Sequence, residues 1–88
     1  MHPDTVKKMN EIIGMLKVIE REISIYGSMY EKKAVVRSRT PEIMKRYEEL
    51  NKMLNEKGID EETNKYYREL TSEISRVLHV TDIMNFTY

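Results

Sequence analysis

Met9, Ile12, Leu16, Ile19, Ile23, Tyr26 and Tyr30 follow one another at alternating gaps of three and four residues. That alternation winds one narrow apolar stripe along an α-helix. A stripe of this width cannot be buried by the helix that carries it, so it requires partner helices, either later in the chain or in a second copy. The fold class is therefore all-α. The expected architecture is an antiparallel three-helix bundle with a long first helix, assembled as a coiled-coil-like homodimer.

The first helix is expected over residues 5–37, opened by Asp4 or Thr5 behind Pro3. Gly14 and Gly27 each weaken it by about 1 kcal/mol against alanine, and Tyr26-Gly27-Ser28 is where it would bend most readily. Arg37-Ser38-Arg39-Thr40-Pro41 reads as the first connection, with Thr40 as N-cap and Pro41 in the first position of a second helix over 41–57. Ile43, Tyr47, Leu50 and Leu54 form the stripe of that helix, and Lys57-Gly58 forms its stop. Asp60 caps a third helix over 61–79, whose first turn carries Glu61 and Glu62 and whose stripe is Tyr67, Leu70, Ile74 and Val77. Residues 80–88 read as a tail that docks instead of continuing the helix, because β-branched residues interrupt the pattern and no cap is evident. A first helix of about 33 residues would run roughly 50 Å and outlast the second. The uncovered part of the stripe is the reason to expect a homodimer, with Met9, Ile12, Leu16, Ile19, Ile23, Tyr26 and Tyr30 as its association surface.

Size points the same way. A chain of 88 residues is one domain, and a domain so small buries only about 60 to 65% of its unfolded surface, which self-association would improve. A hydrophobic content of 40% with 34% charged residues is too apolar and too patterned for disorder. Without cysteine there is no disulfide and no thiolate metal site, which fits a reducing, cytoplasmic setting. The longest apolar runs, such as Ala34-Val35-Val36, are too short to span a bilayer, and Met1 to Asn10 carries no signal-peptide core. Membrane insertion is not expected; contact with a membrane surface stays open. The seven methionines, beside a single phenylalanine and no tryptophan, read mainly as filling for a core poor in aromatic volume, and alternatively as an adaptable partner surface.

Net charge is zero, which argues against a generic nucleic-acid binder, yet the charges are unevenly placed. Lys32, Lys33, Arg37, Arg39, Lys45 and Arg46 crowd the expected first bend, while Glu56, Asp60, Glu61 and Glu62 gather at the second. Lys33, Arg37, Arg39, Lys45 and Arg46 around the open amides of helix two could hold a phosphate, a carboxylate or nucleic acid, with Tyr30 and Tyr47 as stacking faces. The plainer reading, which is preferred, is that cations near a helix end answer its dipole. All tyrosines except Tyr88 lie on or beside an apolar stripe and read as core.

Catalytic signatures are weak. Ser75, His79 and Asp82 share a helical face at i, i+4 and i+7, but a bare helix surface offers neither the shielded nucleophile nor the oxyanion hole that a triad needs. His2 and His79 are the only imidazoles, no paired metal spacing is present, and the glycines at 14, 27 and 58 are isolated. No metal or cofactor is expected. The layout, with Pro41-Glu42 and Gly58-Ile59-Asp60 at the turns, is similar to that of the all-helical chorismate mutases. This resemblance implies a long first helix and a dianion site, onto which Arg21, Lys32, Ser75 and His79 can be matched. The chain departs from that pattern in having no arginine before Arg21, and Ile43-Met44 instead of an Arg-Glu pair after Pro41-Glu42. The expected function is that of a non-enzymatic helical interaction or oligomerisation protein with a homodimeric or other protein partner. Binding of an anionic partner through the basic bend and a chorismate-mutase-like enzyme are the alternatives.

Overall fold

The computed structural model describes the backbone of residues 2–86 and the side chains of residues 2–78. Among the described residues there are three helices and no strand: α1 (Pro3–Ile25), α2 (Met29–Lys57) and α3 (Glu61–Phe86). The helix expected over 5–37 is thus two helices, parted at Tyr26-Gly27-Ser28.

Local chemistry explains the break. Tyr26 and Ser28 both adopt extended backbone angles, and the Ser28 hydroxyl oxygen accepts from the Glu31 amide at 3.2 Å while its proton goes to the Glu31 carboxylate at 2.9 Å. Ser28-Met29-Tyr30-Glu31 is a capping-box sequence, and such a box fixes a helix start. Thr40-Pro41, the expected start of the second helix, lies instead inside α2. The Thr40 hydroxyl turns back to donate to the Val36 carbonyl at 2.7 Å, as threonines do in mid-helix. Pro41 is exposed, so the Arg37 carbonyl that lacks an amide partner faces solvent. Buried Val36 and Ile43, seven residues apart on one face, hold the helix together across the proline.

The second connection matches its expectation. α2 ends at Lys57, Gly58 takes φ 82°, and its amide donates to the Leu54 carbonyl at 2.9 Å. Asp60 accepts from the Thr63 amide at 2.7 Å and so caps α3. The third helix does not stop at residue 79 but runs to Phe86. β-branched residues cost a helix only a few tenths of a kcal/mol each, and no glycine or proline interrupts the segment. Residues 87 and 88 of the expected tail lie outside the described residues.

All three helices pack on one another. Ion pairs joining α1 to α2 link Asp4 with Lys57, Lys8 with Glu49 and Glu22 with Arg39, so residue numbers rise along one helix as they fall along the other. α1 and α3 rise together, with Asn10 bonded to Tyr66 and Glu20 to Arg76. The longest dimension is 42 Å, the length of α2 itself at about 1.5 Å per residue, so no helix projects as a long unsupported rod.

The core draws on every helix: Met9, Ile12, Leu16, Ile19 and Ile23 from α1, Val36, Ile43, Leu50 and Leu54 from α2, and Leu70, Ile74, Val77 and Leu78 from α3. Each such side chain contributes about 1.5–3 kcal/mol on leaving water. This corrects the expected association surface. Met9, Ile12, Leu16, Ile19 and Ile23 are at most 9% exposed within a single chain, because α2 folds back over them once the chain reverses at Gly27. They have no surface left for a second copy. Tyr26 and Tyr30, read above as core, are instead exposed, Tyr30 to 84%.

Candidate functional site

The five cations singled out in the sequence lie on α2 between Lys33 and Arg46, and the helix sorts them onto different sides. Arg39 reaches across to Glu22 on α1 at 3.0 Å, and Arg46 meets Glu11 at 3.5 Å and Glu42 at 3.2 Å. These two tie α1 to α2 and are spoken for. Lys33, Arg37 and Lys45 have no ion pair among the described residues, and Arg37 and Lys45 are exposed.

Helical spacing assembles two of them with apolar neighbours: Tyr30, Lys33, Arg37 and Met44 stand at i, i+3, i+7 and i+14, on the side of α2 turned away from α1, whereas Lys45 lies about a quarter-turn round the helix from Met44, at the edge of this face and near Glu49. The first acid on this face is Glu48. Met44 is 39% exposed, and at the chain reversal Ile25 is 75% exposed beside Tyr26. The result is a face that is both cationic and greasy, on a chain of zero net charge. The open helix amides invoked at Thr40-Pro41 are absent, since those residues are mid-helix; an anion here would meet side chains only. Ile25 and Met44 were missed in the sequence because the stripe hid them: Ile25 stands off it, two residues after Ile23, and Met44 fits a helical face.

A second feature is the cleft between α1 and α3, about 570 Å³, floored by Ile13, Leu16 and Leu70. Two cations line it, Lys17 and Arg76, and Arg76 is held by Glu20 through two bonds of 2.9 and 3.1 Å and by Glu73 at 2.6 Å. The hydrogen bonds from Glu20 and Glu73 hold the guanidinium further above its usual range, and Arg76 in turn holds the Glu73 carboxyl below its own. Arg76, so neutralised, has little to offer a substrate anion.

No protein-family model, curated protein or solved structure matches the chain. The chorismate-mutase landmarks change meaning in the structure. Pro41-Glu42 lies within α2 and no longer marks a helix start, and the first helix is shorter than the second. Of the residues matched to that family, Arg21 and Ser75 are exposed, Lys32 is half-buried and lines a shallow cleft with Glu20 and Ile23, and the side chain of His79 lies outside the described residues, as does that of Asp82. Among the described residues no three of His, Cys, Asp and Glu come together as a metal would need, and no helix is long and apolar enough to cross a membrane.

Proposed function

We propose that this chain is an antiparallel three-helix bundle acting as a non-enzymatic interaction protein, whose contact surface is the α2 face of Tyr30, Lys33, Arg37, Met44 and Lys45 together with the Ile25-Tyr26 corner. One observation carries the reading: Lys33 and Arg37, without an ion pair among the described residues, share a face with the exposed side chains of Tyr30 and Met44, with Lys45 at its edge, whereas Arg39 and Arg46 beside them are paired. Unpaired cations and exposed aromatic rings are the chemistry of an anionic partner. The absence of cysteine supports a reducing, cytoplasmic setting for this role. Retention on a sulfated-polysaccharide column tests it. A chain of zero net charge should be held at low salt and released as salt rises. Replacing Lys33, Arg37 and Lys45 by glutamate should abolish retention; unchanged retention would remove the proposal.

Homodimerisation is the second reading, carried by Ile25 at 75% and Tyr30 at 84% exposure in one short corner. It is narrower than the seam expected from the sequence, since it uses the chain reversal and not the buried stripe. Sedimentation across a micromolar concentration series tests it, with Ile25→Ser and Tyr30→Ser expected to yield a monomer.

A further inference from the structure

We infer that the α2 face and the Ile25-Tyr26 corner dock this protein peripherally on an anionic lipid bilayer, with Ile25, Tyr26 and Tyr30 in the interfacial layer and Lys33, Arg37 and Lys45 on the head groups; the inference rests on the interaction reading above. Charge complementarity selects the occupant. Lys33 and Arg37 have no ion pair among the described residues, and Lys45 feels Glu49 only at longer range, so covering them with neutral surface would strand their charge. A second copy laid face to face on α2 would bring the same cations against themselves, so self-docking through Lys33 and Arg37 is opposed and only the Ile25-Tyr30 corner is left for it. Nucleic acid would answer the cations and stack on tyrosine, but it would leave Ile25 and Met44, 75% and 39% exposed, without apolar cover. A bilayer surface satisfies both halves: anionic head groups take the cations, and the interfacial layer takes an aliphatic chain and phenol rings, whose amphipathic character suits that depth. Position helps as well. The apolar trio projects at the chain reversal, where α1 ends and α2 begins, so it can reach a plane without disturbing the core. The attachment is peripheral, because no helix among the described residues can cross the membrane.

The experiment is co-sedimentation of the full chain with phosphatidylcholine vesicles, with and without phosphatidylserine, at low and physiological salt. Binding is expected with phosphatidylserine only, weakened by salt. Lys33→Glu, Arg37→Glu and Lys45→Glu together should lower partition by about 100-fold or more, at about 1 kcal/mol per cation. A variant with the same net charge, Lys17→Glu, Lys65→Glu and Arg68→Glu, should lower it far less. Ile25→Ser with Tyr30→Ser should also weaken binding while leaving circular dichroism unchanged, since both side chains are exposed. The chain has no tryptophan, so Tyr30→Trp is a clean reporter whose emission should shift to the blue on anionic vesicles. Equal binding to neutral vesicles, or no binding with no blue shift, overturns the inference. If vesicles fail but single-stranded DNA binds in a manner abolished by the three α2 glutamates, the lipid inference falls and the interaction surface stands. If neither binds and the polysaccharide column retains nothing, both fall.

Discussion

Tyr47 of α2 and Tyr67 of α3 stack with ring centroids 5.8 Å apart and planes 13° from parallel, and their hydroxyls meet at 2.6 Å. Tyr67 passes its proton to the Asn51 side-chain oxygen at 2.6 Å, so Tyr47 must be the donor between the two hydroxyls. The pair is the polar seam between α2 and α3, and it fixes their register where leucines and isoleucines alone would tolerate sliding. Thr71 borders it, its hydroxyl bonded to the Tyr67 carbonyl at 3.0 Å.

Removing the Tyr67 hydroxyl takes from Tyr47 its shorter acceptor, leaving it only the Thr71 hydroxyl oxygen at 3.2 Å, and leaves Asn51 without its donor. Tyr67→Phe is expected to cost about 1–2 kcal/mol in urea unfolding. Burial first, then the Tyr47 hydroxyl, pushes the Tyr67 phenol up to about 12. A phenol whose folded value lies above its unfolded one favours the folded state at lower pH, and that contribution fades as pH rises from about 10 towards 12. An absorbance titration should show a late phenolic step that Tyr67→Phe removes. Retention of that step in the variant would assign it elsewhere.

Pro41 sits in the interior of α2, where it forfeits one backbone bond to the Arg37 carbonyl. Pro41→Ala restores that bond on an exposed position and should raise stability by about 1–3 kcal/mol. If Pro41 instead opened a helix, as the Thr40-Pro41 pair suggests in isolation, the same change would be neutral or destabilising. The sign of the shift in the urea midpoint therefore reports whether the helix is continuous there.

The competition between Ser28 and Thr40 shows how far the sequence could be read. Both are good caps. Ser28 carries the stronger signal, a glutamate three residues on, whereas Thr40 is followed by a proline that a helix start welcomes but does not require. The stripe through Tyr26 and Tyr30 obscured this, because heptad spacing continues across the break by coincidence while the backbone does not. Gly58 and Asp60 were legible because each acts through its own local chemistry, a positive φ and a carboxylate on a nearby amide. The candidate face was only half legible. Its cations were visible, but which of them were already paired depended on Glu22 and Glu11, acids brought opposite only by the fold.

The stripe's intramolecular burial has a direct consequence. Ile12 is fully buried among side chains of its own chain, so Ile12→Ala should cost about 2–5 kcal/mol. In a domain this small, that is enough to leave much of the population unfolded. On the leading reading of a self-sufficient core, the urea midpoint of the native chain should not move with protein concentration. A midpoint that climbs with concentration would mean that native copies associate, and loss of that climb in Ile25→Ser with Tyr30→Ser would place the contact at the exposed corner and not in the core.

Acid should loosen α3 at its start. The Thr63 hydroxyl and then its amide, bonded to the Asp60 carboxylate, hold that carboxyl below its usual value of 3.8. A carboxylate depressed in the folded state contributes stability above its unfolded value and loses it as pH falls through the folded one, so the cap is at full strength near neutrality and fails below about pH 4. Asn caps a helix about as well as Asp but does not titrate. Asp60→Asn should therefore leave stability at neutral pH within about 0.5 kcal/mol of the native chain, allowing for loss of the dipole interaction. Below the carboxylate range the variant should lose less stability than the native chain. The measurement is urea unfolding at a series of pH values, and a variant whose acid limb runs parallel to the native one would place the acid sensitivity with Asp4, Glu49 and Glu73, whose carboxyls are likewise lowered, by Lys57, Lys8 and Arg76.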